Sequence, residues 1–183
     1  MNVTILREAG YAEAALGLAL SFEREADDMP RVMRRLYNKD GGHNKFLESM
    51  MVWLDVTAPR HFWQQFDTYR AGLTKQSGST MHTATKRPLT MFDFEQPIPI
   101  KTLRRLNDLV RARDLMALKN ELPEGYLQRR VVCTNYKTLR NMIWQRRTHR
   151  NPAWGVFCAA VLAQVEHKEF FEDLIHLVPD GTL

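Results

Sequence analysis

Asn135, Asn141 and Arg146 stand close together in the run Asn135-Tyr136-Lys137-Thr138-Leu139-Arg140-Asn141-Met142-Ile143-Trp144-Gln145-Arg146. Amide and guanidinium groups both present planar donors, so such a set can read the edge of a heterocycle. A strand ends at Asn135 and a helix follows, which gives Asn135 a competing, purely structural task as the cap of that helix. Asn141 and Arg146 lie five residues apart, off a common helical stripe, yet they can flank a ligand lying across the helix.

Two further segments carry groups of chemical interest. His43 follows the pair Gly41-Gly42, where backbone can approach a ligand closely and an imidazole can donate a hydrogen bond or move a proton near neutral pH. An exposed histidine at a helix start is the plainer reading. In Pro59-Arg60-His61-Phe62-Trp63-Gln64-Gln65-Phe66-Asp67-Thr68-Tyr69-Arg70, helical spacing puts Phe62, Phe66 and Tyr69 on one face and Trp63, Asp67 and Arg70 on another. That aromatic stripe is core rather than ligand platform. Arg70 precedes the polar run Thr74-Lys75-Gln76-Ser77-Gly78-Ser79-Thr80, which offers hydroxyls, backbone N–H groups and a cation, the groups an anion needs. A surface loop without a ligand fits that run equally well.

The elements that must position these groups are helices mixed with strands in no regular alternation, which is the α+β class. Strands are expected over 2–7, from Met51 to Val56 and over 126–134, with another around Ser79 to Thr85 in the irregular stretch from Ala71 to Pro99. Helices are expected from Tyr11 to Glu25, Pro30 to Tyr37, Asn44 to Met50, Pro59 to about Tyr69, Ile100 to Asp114 and on to Asn120, Tyr136 to Thr148, from Pro152, and Lys168 to Leu177. With 183 residues the chain is read as one domain, 1–183, large enough for a sizeable core. It has no internal repeat, and no glycine pattern of the dinucleotide-fold or P-loop type.

Charge and composition narrow the function classes. No run approaches twenty apolar residues and the N-terminus has no signal-peptide pattern, so membrane insertion and export are not expected. Cys133 and Cys158 are two isolated cysteines, which give neither a disulfide framework nor a metal site. The expected compartment is a reducing cytoplasm. The formal net charge is +5, and Arg129, Arg130, Lys137, Arg140, Arg146, Arg147 and Arg150 lie in one stretch without a single acid. Such a stretch is either a solvated face or a phosphate-binding surface.

Taken together, these segments resemble the flavin-dependent thymidylate synthase (ThyX) family. The resemblance runs from Gly42-His43 through Leu47-Glu48, Val56, Ala58-Pro59 and Gln65 to Arg70. It resumes at Leu122-Pro123, Asn135, Leu139, Asn141 and Arg146, covering roughly residues 40–82 and 119–165. It implies a ThyX-like fold with a small, mostly antiparallel sheet packed with helices. It also implies a homotetramer whose sites form between subunits. His43, Asn135 and Asn141 fall at positions near the flavin, and Gln65 near the nucleotide. Arg146 falls at the arginine that contacts the dUMP base, and Lys119 at an arginine for the nucleotide phosphate. Lysine there keeps the charge but loses the bidentate fork.

One motif departs. The family's Arg-His-Arg signature reads Thr68-Tyr69-Arg70, and the serine, glutamate, serine and arginine positions after it are Leu73, Gln76, Gly78 and Thr80. Ser77 and Ser79 take up their roles if the loop shifts by one residue, with Lys75 or Arg60 as a replacement cation for the FAD diphosphate. Two lost charge-assisted bonds of roughly 1.5–3 kcal/mol each amount to about two to four powers of ten in FAD affinity.

The resemblance implies an FAD-dependent methyl transfer to C5 of dUMP, with methylene-tetrahydrofolate as carbon donor and no protein nucleophile. His43 and Arg146 are the catalytic candidates. Arg70, Lys75, Ser77, Asn135 and Asn141 are the cofactor candidates, and Gln65, Lys119, Ser79 and Arg146 the substrate candidates. Three alternatives stand beside it. One is an enzyme that modifies another pyrimidine nucleotide. Another is a non-catalytic nucleotide or nucleic-acid binder using the basic stretch with Trp144 and Trp154. The last is a structural protein without a ligand.

Overall fold

Val52, Leu54, Val56 and Ala58 alternate with Met51, Trp53, Asp55 and Thr57, and this period of two makes β2 (Met51–Pro59) the spine of the fold. In the computed structural model, which describes residues 1–177, the first set is buried and the second half-exposed. β2 pairs antiparallel with β1 (Asn2–Ala9) on one side and with β4 (Leu127–Asn135) on the other. β3 (Leu73–Ser77) pairs antiparallel with the far edge of β4, so the sheet order is β1-β2-β4-β3. A bulge between Ile5 and Arg7 leaves Leu6 pointing into solvent. The chain is thus α+β, with a four-stranded, wholly antiparallel sheet among the described residues.

Helices cover the inward face of that sheet. α1 (Tyr11–Leu20) and α2 (Met29–Leu36) follow β1, and α3 (Arg60–Phe66) follows β2. α7 (Tyr136–Arg146) follows β4, and α8 (Pro152–Gln164) packs beside it with one face buried. Phe62 and Phe66 of α3 pack against Trp154 and Phe157 of α8, with Phe62 and Trp154 ring centres 4.6 Å apart, and Trp63 packs edge-on against both phenylalanines. This aromatic cluster is the centre of the larger core, as the stripe in the sequence implied.

A second, smaller apolar cluster sits apart from the first. It joins α4 (Thr80–Thr83), α5 (Ile100–Ala112) and α6 (Leu115–Glu121) through Ala84, Leu89, Phe94, Leu106, Leu109, Val110, Leu118 and Leu122. α3 is tied to it at its start. Arg60 N–H donates to the Tyr126 carbonyl and the Arg60 guanidinium to the Leu122 carbonyl at 2.9 Å. The chain ends, within the described residues, in a 3-10 turn at Lys168–Phe170 and α9 (Glu172–Ile175).

The helix expected from Asn44 to Met50 is a 3-10 turn, Lys45–Glu48, and three further expected elements come out differently. The strand expected around Ser79 to Thr85 is a helical turn, and the strand of this region is Leu73–Ser77. That segment is polar and hardly alternates, so backbone pairing with β4, not side-chain pattern, fixes it as a strand. α1 stops at Leu20 rather than Glu25, and Glu23 takes a left-handed conformation in the turn that follows. α3 stops at Phe66, which frees Tyr69 and Arg70 from the helical faces expected of them.

Candidate functional site

A cleft of about 740 Å³ opens where the turn after α3 meets the start and outer face of α7. That volume lies in the ordinary range of small-molecule sites, roughly 300–1,000 Å³. Arg70, Asn135, Asn141 and Arg146 all line it, together with Tyr69, Gly72, Thr138 and Gln145. Three candidates from one stretch of the sequence, Asn135, Asn141 and Arg146, are thus joined in one cleft by Arg70 from a distant segment.

Asn135 performs the structural one of its two possible tasks. Its Oδ1 accepts the Thr138 N–H at 2.9 Å and so caps α7, while the residue is only 8% exposed. Its Nδ2 donates to no protein group among the described residues and is left for the cleft. Gly72, at φ +67°, lets the backbone pass directly against this cap, and its carbonyl accepts the Thr134 hydroxyl at 3.0 Å.

Arg146 is held on two sides. Its Nε donates to the Tyr69 hydroxyl at 3.0 Å, and its guanidinium carbon lies 4.9 Å from the centre of the Trp154 indole. The Tyr69 hydroxyl donates onward to Gln145 Oε1 at 2.8 Å, and Gln145 Nε2 donates to Asn141 Oδ1 at 3.2 Å. Arg70 is exposed and makes no ion pair among the described residues. Lys137, also at the rim, is paired with Glu48 at 2.6 Å. The outcome is a cleft with a cationic surplus and free N–H donors on Arg70, Asn141 and Arg146, suited to a ligand rich in acceptors.

Gln65 stands behind this wall rather than in it. Its Oε1 accepts from Trp154 Nε1 at 2.8 Å and from Asn151 Nδ2 at 3.3 Å. Asn151 caps α8 through its Oδ1 and offers Nδ2 also to His61 Nδ1 at 3.0 Å, while His61 Nε2 faces Glu95 at 2.9 Å. His61 thus bridges Asn151 and Glu95 through its two ring nitrogens. This chain orients the indole beneath Arg146.

The other candidates lie elsewhere. His43 is exposed on the rim of an adjoining hollow of about 650 Å³, lined also by Phe22, Leu18 and Glu48. Glu48 is common to the hollow and the cleft. Lys75 is bound to Asp67 at 2.7 Å, and Arg130 binds the same carboxylate at 2.9 Å. Burial pushes the Asp67 carboxyl up, but the hydrogen bonds and charges of Lys75 and Arg130 outweigh it and hold it below its ordinary value. Ser77 is exposed at the end of β3, and Ser79 begins α4. Lys119 reaches across to Met81 of α4, with Nζ 3.2 Å from the sulfur. Ser79 and Lys119 thus sit on the smaller cluster and not in the cleft.

The basic stretch does not form one face. Arg129 pairs with Asp55 at 2.8 Å, Arg130 with Asp67, Lys137 with Glu48 and Arg140 with Asp173 at 2.9 Å. Consecutive residues of β4 point to opposite sides of the sheet, so Arg129 and Arg130 diverge. Among the described residues no group of three or more His, Cys, Asp or Glu could hold a metal ion, and no helix is long and apolar enough to cross a membrane. Burial pushes the Cys158 thiol up to about 12, which removes it as a nucleophile at neutral pH.

No protein-family model matches the chain. No curated protein matches it by sequence. Solved structures do. The chain is similar to the flavin-dependent thymidylate synthase ThyX from Helicobacter pylori complexed with FAD and dUMP. The TM-score is 0.79 at 18% identity over 95% of this chain and 99% of that one. A second structure of Helicobacter pylori ThyX with FAD and dUMP gives a TM-score of 0.78 at 17% identity over the same shares. The fold expected from the resemblance is therefore the fold observed.

Sequence reasoning missed Tyr69, Gln145, Thr138 and Gly72 as parts of the wall. A partial signal existed for Gly72, a glycine two residues after Arg70, but nothing in the sequence linked Tyr69 to Arg146.

Proposed function

We propose that the cleft binds a pyrimidine deoxynucleotide, dUMP, next to FAD, and that the chain is a divergent flavin-dependent thymidylate synthase. The observation that carries this reading is the convergence of Arg70, Asn135, Asn141 and Arg146 on one cleft, in a fold shared with a ThyX that was crystallised with both ligands. The wall fits a flavin in one respect: the Asn135 amide is nearly buried, belongs to the cleft lining and has no protein acceptor among the described residues. Asn135 and Asn141 would hold the flavin ring by its acceptor atoms, and Arg70 would meet the diphosphate. When bound, FAD supplies hydride chemistry. Arg146 would donate to the pyrimidine carbonyl edge and stabilise negative charge developing on that ring. His43 and a methylene-tetrahydrofolate carbon donor belong to the adjoining hollow.

Lys75, Ser77, Ser79 and Lys119 complete the reading only through a second copy. They lie outside the cleft of their own chain, and a homotetramer with sites between subunits brings another copy's Ser79 and Lys119 to the nucleotide phosphate. The setting of such an enzyme is the cytoplasm. The ion pairing of Arg129, Arg130, Lys137 and Arg140 speaks against the nucleic-acid alternative, because it leaves few of these charges for a phosphate backbone.

The test uses purified protein. Absorbance near 450 nm, or quenching of flavin fluorescence on FAD titration, reports the cofactor. A product assay over dUMP and dCMP, with and without the folate, reports the reaction. A colourless protein that also fails to quench FAD overturns the flavin reading. Turnover of dCMP in place of dUMP replaces it with another pyrimidine modification.

A further inference from the structure

We infer that Tyr69 is a positioning residue for Arg146, and that the tyrosine in the middle of Thr68-Tyr69-Arg70 re-anchors the cleft instead of merely losing a contact. The inference rests on the nucleotide reading above for its consequence, but on geometry for its substance. Tyr69 follows the end of α3, and Arg146 is the last residue of α7, 77 positions away. The phenol oxygen accepts from Arg146 Nε at 3.0 Å and donates to Gln145 Oε1 at 2.8 Å. Gln145 then donates to Asn141 Oδ1 at 3.2 Å. One hydroxyl thus sets the orientation of three side chains on the cleft wall.

The direction of the chain matters. Because Nε is satisfied by the phenol, the two terminal nitrogens of Arg146 remain, and neither donates to a protein group among the described residues. Because Asn141 Oδ1 is satisfied by Gln145, its Nδ2 remains. The groups these bonds leave free on Arg146 and Asn141 are N–H donors, so this part of the wall is complementary to carbonyl and phosphate oxygens. The Trp154 ring beneath the guanidinium blocks rotation on the other side. An arginine already fixed in this way loses little side-chain freedom on binding, and releasing it would weaken a ligand by about tenfold. Tyr69 lines the cleft, but its hydroxyl is committed to Arg146 and Gln145, and the role inferred for that hydroxyl is exerted through Arg146.

The experiment compares wild type, Y69F, R146Q and the double variant Y69F/R146Q. Two readouts are taken: the dUMP dissociation constant and the protected Arg146 Nε–H signal in ¹H–¹⁵N NMR, assigned by its loss in R146Q. Y69F keeps the ring and its packing, so the fold should persist. The inference expects Y69F to weaken dUMP about tenfold, to have no added effect in the R146Q background, and to abolish the protected signal. Equal losses in both backgrounds, or a protected signal that survives in Y69F, overturn it. If wild type binds no dUMP, the nucleotide reading falls, and the NMR readout still decides whether Tyr69 fixes Arg146.

Discussion

A Cβ placed on Gly72 would stand 3.0 Å from Asn135 Nδ2 and 2.5 Å from Thr138 Oγ1. Gly72 is therefore matched to the cap of α7 on two counts, since its φ of +67° is also one that side-chain-bearing residues adopt at a cost. Gly72→Ala is expected to lower stability by at least about 1–2 kcal/mol through the left-handed backbone alone, with the clash added to it. The same change should displace Asn135 and weaken any cleft ligand. Thermal unfolding with and without FAD checks both; an unchanged midpoint would show that the turn has another way to fit.

Asn135 separates its two tasks by substitution. Asn135→Ala removes the cap and should cost about 0.5–2 kcal/mol. Asn135→Asp keeps an oxygen for the Thr138 N–H and suits a helix N-terminus, so stability should hold. It replaces the free amide donor with an acceptor, so FAD affinity should fall as far as in the alanine variant. Chemical denaturation paired with FAD titration separates the two. If Asn135→Asp binds FAD as wild type does, the Nδ2 donor is not part of the site.

These residues also mark what a sequence can and cannot carry. Asn135 was legible because capping and strand-to-helix punctuation are local, and β2 because its alternation is local too. The Tyr69–Arg146 bond joins positions that only the whole fold brings together, so Thr68-Tyr69-Arg70 read as a motif lost. β3 was misplaced for a related reason: its strand state comes from β4, and its own residues are polar. The basic stretch looked like one surface because its acidic partners, Asp55, Asp67, Glu48 and Asp173, lie on other segments.

Asp67 gives the acid limb of the stability curve. Lys75 and Arg130 overcome its burial and hold its carboxyl below the ordinary value. A depressed carboxylate stabilises the fold above its unfolded pKa of about 3.9, and the contribution is lost as pH falls through the folded value. Asp67→Asn should therefore lower the unfolding midpoint at pH 7, where Arg130 Nε is already buried without a partner. The gap between variant and wild type should close as pH drops below about 4. Midpoints measured from pH 3 to 8 test this, and a gap independent of pH would remove the ion pairs as its cause.

His149 reports on Arg146 from outside the cleft. Burial first, and the Arg146 charge second, hold its imidazole below the ordinary histidine value, and its Nδ1 accepts the Asn151 N–H at 3.1 Å. The folded state therefore prefers neutral His149. In the window between the folded and unfolded pKa values the unfolded chain binds more protons, so this residue's contribution grows as pH rises and is lost as pH falls. Arg146→Gln removes the second cause and should move the His149 titration upward. An anion docked on the guanidinium should do the same in wild type, because it offsets the charge that repels the imidazolium. Histidine Cε1–H NMR titrations of wild type, Arg146→Gln and wild type with saturating dUMP measure all three. An Arg146→Gln titration that stays put would mean that the guanidinium is not where its charge reaches His149. A shift in the variant without one on dUMP addition would place the nucleotide phosphate or ring away from Arg146.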